Sequence, residues 1–182
     1  RRASGVFLAG SPVPANLPVA LDDGTRWAIR RCDQVSHAIV PPEIDAWFAG
    51  RDWRVRRHQA EMLAASDAGR HALLVADTGA GKTLAGFLPT LAAFCPSRLG
   101  ETDPPDGLHT LYVSPLKALA VDVRRNLLNP IEEMGLDIRV ETRTGDTPSD
   151  RKARQRVDPP HILLTTPESL SLLISYEDSA AL

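Results

Sequence analysis

The stretch Ala76–Thr83 reads A-D-T-G-A-G-K-T, and the rest of the chain is organised around it. An apolar run, His71 to Ala76, precedes it, and a helix-like stretch, Thr83 to Phe94, follows. A strand, a glycine-rich turn and a helix start in that order form the setting of a phosphate-binding loop. Gly79 and Gly81 let the backbone curl and turn successive N–H groups inward. The positive end of the following helix faces the same point. Thr78, Gly79, Ala80 and Gly81 thus form the cradle, Lys82 reaches the β- and γ-phosphates, and Thr83 offers a hydroxyl to Mg²⁺. The strict pattern G-x-x-x-x-G-K-[ST] calls for glycine where this chain has Ala76. The plainer alternative is a glycine-rich turn that binds nothing.

Working outward, Trp53–Ala68 has helical spacing at Val55, Gln59, Met62 and Leu63, and Gly69 closes it. Arg51, Arg54, Arg56 and Arg57 crowd its start. One reading is a solvated basic turn. The other is a nucleotide-base pocket, in which the Gln59 amide meets the edge of adenine and Arg56 lies flat on the ring. Upstream, Pro41-Pro42 marks a boundary, and a short helix follows with Ile44, Trp47 and Phe48 on one face, ending at Gly50. Residues 1–40 read as an N-terminal extension with little structure of its own, apart from a possible short strand at Thr25–Arg31. Residues 41–182 read as the folded part.

Downstream, Leu84, Phe87, Leu88 and Leu91 share a helix face that Pro89 should kink. Pro96–Gly107 reads as an exposed loop. Strands are expected at Thr110–Val113, Ile138–Glu141 and His161–Thr165. Between them lie a helix opening at Ser114-Pro115, with Pro115 in its first position, and a short basic helix at Asp150–Arg156. The first of these should break or kink at Asn129-Pro130. A last helix spans Pro167–Ile174. Strands alternating with helices imply an α/β fold, a parallel sheet covered on both faces.

Ligands of such sheets bind beyond the carboxyl ends of the strands. Three polar segments stand there: Ser114-Pro115-Leu116-Lys117-Ala118-Leu119, Thr142-Arg143-Thr144-Gly145-Asp146, and Thr165-Thr166-Pro167-Glu168-Ser169-Leu170. Thr166 suits an N-cap, Pro167 the first helical position, and Glu168 the helix dipole. Capping alone explains the third segment and a tight turn the second. As a set they offer N–H groups, hydroxyls and Lys117 to the phosphates of a nucleic acid.

These segments together resemble the first motor domain of superfamily 2 helicases, and within it the large helicase-related (Lhr-type) group, especially its bacterial DNA-ligase-associated DExH-box branch. Arg56–Gln59 resembles the adenine-recognition segment, Ala76–Thr83 motif I, Ser114–Ala120 motif Ia, Thr142–Thr147 motif Ib, and Thr165–Leu170 the motif after it. The resemblance runs from about Pro41 onward. It implies a RecA-like P-loop NTPase domain that uses ATP and Mg²⁺, with Lys82 and Thr83 as catalytic residues. It further implies contacts to a nucleic-acid backbone, DNA as a single strand or a tailed duplex, from Pro115, Lys117, Ala118, Arg143, Thr144, Gly145, Asp146, Thr166, Pro167, Glu168 and Ser169. DNA ligase and nuclease partners are implied by the branch alone. Asp77 departs from the Pro common among relatives.

Hydrolysis also needs a carboxylate for Mg²⁺ and a group that orients water. The family supplies both from a D-E-x-H box, and no Asp-Glu pair occurs in these 182 residues. Glu177-Asp178 lies in a polar turn with no apolar strand before it. The expectation is therefore a partial motor domain, truncated at its C-terminus and inactive in hydrolysis by itself; the alternative is a non-hydrolysing module that binds nucleotide or nucleic acid.

Composition bounds the rest. Apolar residues make up 43% and charged residues 24%, ordinary for a globular chain. The net charge of −2 offers no global attraction for nucleic acid, so a binding site must be a local patch. Arg143, Arg151, Lys152, Arg154 and Arg156 could form that patch, or an exposed helix that contacts nothing. Cys32 and Cys95 form neither a metal pattern nor a disulfide framework, which points to the cytoplasm. No apolar run approaches a membrane span, and Val6–Ala9 is too short for a signal-peptide core.

Overall fold

The computed structural model describes residues 7–8, 40–100 and 102–175. In chain order these form β1 (Phe7–Leu8), α1 (Pro42–Ala49), α2 (Arg57–Asp67), α3 (Lys82–Ala93), α4 (Pro96–Leu99) and β2 (Thr110–Val113). There follow α5 (Lys117–Glu133), β3 (Val140–Arg143), α6 (Ser149–Val157), β4 (Ile162–Thr165) and α7 (Pro167–Ile174). The sheet has the order β1-β2-β4-β3, and every pairing is parallel. Its register is regular: Val113 pairs with Thr165, and Thr165 with Arg143. The carboxyl ends of β2, β3 and β4 are therefore level.

All four residues of β4 are buried, as a central parallel strand covered on both faces requires. Ile162 and Leu164 join Tyr112, Val140, Val123, Leu127 and Ile131 in the main core. The same core takes Ile44 and Phe48 from α1, Leu63 from α2, and Phe87, Leu88 and Leu91 from α3. The helical periodicity read from the sequence is thus the periodicity of burial. Outside the core, polar clamps tie the helices together. Arg98 grips the Asp67 carboxylate with two bonds of 2.6 and 2.9 Å. Ser97 donates to Glu43 through N–H and hydroxyl. Glu133 of α5 accepts from Trp47 Nε1 at 2.6 Å and from Arg51.

Several expectations are corrected. The apolar run His71–Ala76 pairs with none of the described strands, and Leu73 and Val75 are 59% and 62% exposed. Alternating apolar residues favour a strand only where a neighbouring strand satisfies their backbone groups. The loop expected at Pro96–Gly107 opens with α4, anchored by its bonds to Glu43 and Asp67. Pro115 lies outside α5. Ser114 N–H still bonds Thr165 O at 3.0 Å, which prolongs the sheet pairing by one residue, and Leu116 becomes the N-cap. Of the break or kink expected at Asn129-Pro130, the break does not occur: α5 runs on to Glu133, with Ile131 held in the core. The third strand begins at Val140, two residues late, since Gly135 at φ +65° and an Ile138 N–H bond to Leu136 O form a turn first. Phe7–Leu8, within the stretch read as an extension, pairs with Tyr112 and Val113 as an edge strand. The strand expected at Thr25–Arg31 lies outside the described residues.

Candidate functional site

The glycine turn expected from the sequence is formed. Gly79 and Gly81 both have φ of +79°, the left-handed region where glycine carries no steric cost. Gly81 is the N-cap of α3, so the helix starts at Lys82 and its first N–H groups have no intrahelical acceptor. Lys82 Nζ is folded onto the loop, donating to Ala76 O at 2.6 Å and Asp77 O at 2.7 Å. Thr78, Gly79 and Thr83 are exposed, and a Cβ built on Gly79 would meet nothing within 4 Å. An anion thus has open room at the glycine turn.

Gln59 connects the upstream segment to this loop. It is 3% exposed, and its Oε1 accepts from Arg56 N–H at 2.9 Å, which caps α2. A Cβ on Gly81 would lie 3.0 Å from Gln59 Nε2. The amide donor end therefore rests against the last glycine of the loop, helped by the packing of α2 on α3. Arg56 is exposed beside it. Capping and proximity to the loop coexist at Gln59.

A second cluster stands at the level strand ends. Thr165 Oγ1 donates to Arg143 O at 2.7 Å, tying β4 to β3 just where both chains leave the sheet. Lys117, the first residue of α5, bonds Asp146 Oδ2 at 2.8 Å. Lys152 reaches back from α6 to Gly145 O at 3.0 Å. Thr147 closes the turn by accepting from Thr144 N–H at 2.9 Å. In the third segment Thr166 is the N-cap, its Oγ1 accepting from Ser169 N–H at 3.4 Å. The Glu168 carboxyl is held below its usual range by its own backbone N–H, then by the Thr166 hydroxyl and the charge of Lys117. Asp146 is lowered chiefly by its bond to Lys117. Pro115, Ala118, Gly145, Pro167 and Glu168 are exposed around this centre, while Thr144 and Ser169 are buried in its frame.

Arg143 does not join that surface. It is 5% exposed and turned inward, donating to Lys152 O at 2.8 Å and Gln155 Oε1 at 3.3 Å. Gln155 in turn donates to Glu141 Oε2 at 2.7 Å, and Arg154 to Glu141 Oε1 at 2.5 Å. The basic face of α6 is therefore partly a fastening that holds α6 to β3. Gln155 was invisible as an anchor in the sequence, because a lone Gln in a basic helix carries no signal. The Lys117–Asp146 pair, 29 residues apart, was equally hidden.

Residues 56–181 match the family model of the DEAD/DEAH box helicase. The chain belongs to the DEAD/DEAH box helicase family. Among relatives of this helicase domain, the "ATP-dependent helicase Lhr-Core" of Methanothermobacter thermautotrophicus is 38% identical over 150 residues, 76% of this chain and 17% of that protein. The "Lhr helicase/ probable uracil glycosylase" of Mycolicibacterium smegmatis is 44% identical over 140 residues, 71% of this chain and 9% of that protein. A solved structure of Mycobacterium smegmatis helicase Lhr bound to ssDNA and AMP-PNP superposes with a TM-score of 0.64 at 37% identity, covering 73% of this chain and 18% of that one. The DUF1998 helicase MrfA bound to DNA and AMPPNP gives a TM-score of 0.64 at 28% identity, covering 78% of this chain and 19% of that one. The chain thus spans less than a fifth of the length of these relatives. The fold is the RecA-like one expected, and no helix among the described residues is long and apolar enough to cross a membrane.

Proposed function

We propose that this chain is the ATP- and strand-binding part of the first motor domain of an ATP-dependent nucleic-acid helicase that acts on DNA. The observation that supports this best is the common level of β2, β3 and β4, which gathers three segments otherwise scattered over some fifty residues around Lys117. The solved structures of Mycobacterium smegmatis Lhr and of MrfA, bound to DNA and a nucleotide analogue, support the same reading.

In this reading Lys82 leaves the Ala76 and Asp77 carbonyls for the β- and γ-phosphates of ATP. Exchange of neutral acceptors for anionic oxygens strengthens its bonds. The N–H groups opened by Gly79 and Gly81 receive the same phosphates, alongside Thr78 and Ala80. Gln59 and Arg56 take the adenine. Thr83 would ligate Mg²⁺, which supplies charge neutralisation between the phosphates. Among the described residues no three His, Cys, Asp or Glu side chains gather as a metal site. At the strand ends, Lys117, the Thr144–Asp146 turn and the α7 N-terminus contact a backbone without reading its bases. Cytoplasmic placement and ligase or nuclease partners rest on the cysteine pattern and the family branch respectively.

The 182 residues lack an Asp-Glu pair to hold Mg²⁺ and position water. We therefore expect ATP turnover by the purified chain, with and without a DNA oligonucleotide, to equal that of Lys82→Ala. Turnover that Lys82→Ala abolishes would show that the chain carries its own hydrolytic carboxylate.

A further inference from the structure

The strand-end cluster carries an acid where a phosphate-binding surface needs none. Asp146 Oδ2 lies 2.8 Å from Lys117 Nζ, and both side chains are open to solvent, 77% and 54% exposed. Burial does not force them together; the frame does. The sheet register sets the ends of β2 and β3 level, Lys117 opens α5, and a Cβ on Gly145 would lie 3.6 Å from Lys117 Nζ. That is ordinary contact distance, so the lysine tip lies directly over the turn that presents Asp146. Lys152 anchors that turn through Gly145 O and adds its charge to the field at Asp146. Glu168, at the start of α7, feels the charge of Lys117 as well.

A carboxylate and a phosphodiester offer the same kind of oxygen to an ammonium group. A strand that enters this edge meets a lysine already holding an anion. We propose that Asp146 is a built-in counter-ion that competes with a strand phosphate for Lys117 and so weakens this edge's grip on the nucleic-acid backbone. This rests on the strand-binding reading above. Exposed ion pairs are weak, so a phosphate can displace Asp146 and Asp146 can recapture the lysine when the phosphate leaves. Exchange of one anion for another leaves a small net gain per contact. A protein that shifts along a strand requires contacts of that kind.

The test is the affinity of the chain for a fluorescein-labelled oligothymidylate, read by anisotropy at fixed low salt. Wild type, Asp146→Asn, Lys117→Ala and the double variant are compared, each checked for folding by circular dichroism. Asp146→Asn should bind roughly two- to fivefold more tightly, the loss of one exposed competing pair. That gain should vanish in the Lys117→Ala background. If Asp146→Asn binds no better while Lys117→Ala weakens binding, the counter-ion proposal fails and the strand interface stands. A gain that survives without Lys117 is bulk charge, and it also overturns the proposal. If Lys117→Ala changes nothing, or the folded wild type does not bind, the strand-binding reading itself fails and takes the proposal with it.

Discussion

The phosphate loop and the strand-end cluster are opposites in how they are built. The loop is written in one local run, Ala76–Thr83, and its chemistry can be read from residue types alone. Yet the run that leads into it, His71–Ala76, pairs with none of the described strands and carries Leu73 and Val75 in solvent. The strand-end cluster is the reverse. None of its segments is diagnostic singly, but each is fixed by the sheet register, by Thr165 bonded across to β3, and by Thr166 capping α7. Local motif and structural support are therefore separable: a loop can hold its shape through two glycines and a lysine while the run that leads into it joins none of the described strands.

The largest effect should come from setting the two supports against each other. Leu164→Ala removes a fully buried side chain from β4 and should cost about 2–5 kcal/mol in urea unfolding. Val75→Ala, an equally apolar truncation in the segment under the loop, should change stability by less than about 0.5 kcal/mol. Equal losses would mean that segment 71–77 is packed after all.

A smaller loss should follow at the frame of the third segment. Thr166→Ala removes the hydroxyl that accepts from Ser169 N–H and should cost about 1 kcal/mol, while Thr166→Ser should be nearly neutral. A neutral alanine variant would show that α7 is held by packing alone and that its N-terminus is not organised by the cap.

The smallest effect is electrostatic and lies at the amino ends of β2 and β4. His109 meets Phe94 edge to face and His161 lies tilted against it, with ring centroids 5.6 and 4.9 Å away. Burial lowers both imidazole pKa values, assisted at His109 by the charge of His161 and at His161 by that of Arg139. The neutral forms are thus favoured in the folded chain. Below about pH 6.5 the unfolded chain binds more protons, so stability present at neutral pH should fall as the pH drops towards 5. Urea midpoints across that range should show the decline, and a His109→Asn, His161→Asn double variant should show a flatter profile. An unchanged slope would remove the histidine pair as its source.

The same contrast explains what was legible in the sequence. Helices α1, α2 and α3 followed from apolar spacing and punctuation by Pro and Gly, because each is amphipathic and buries residues of the face that the spacing marks. Thr166-Pro167 was legible because capping is local. The failures are non-local. His71–Ala76 reads as a strand in composition, but pairing is a property of neighbours, which no window of sequence contains. Arg143 reads as a phosphate ligand in its loop, but Lys152 and Gln155 of α6 draw it inward. The Lys117–Asp146 contact needed the register of β2, β4 and β3 before it could be seen. Chemistry carried by one run of residues is visible early, and chemistry assembled by topology is not.

The most direct test of the central claim is a titration of the purified chain with a fluorescent ATP analogue and Mg²⁺, beside Lys82→Ala. The account predicts saturable binding that weakens roughly tenfold or more in the variant, the scale of losing a bond to a charged group, with unchanged unfolding. Equal binding by the two proteins, or none by a chain shown to be folded, would contradict it.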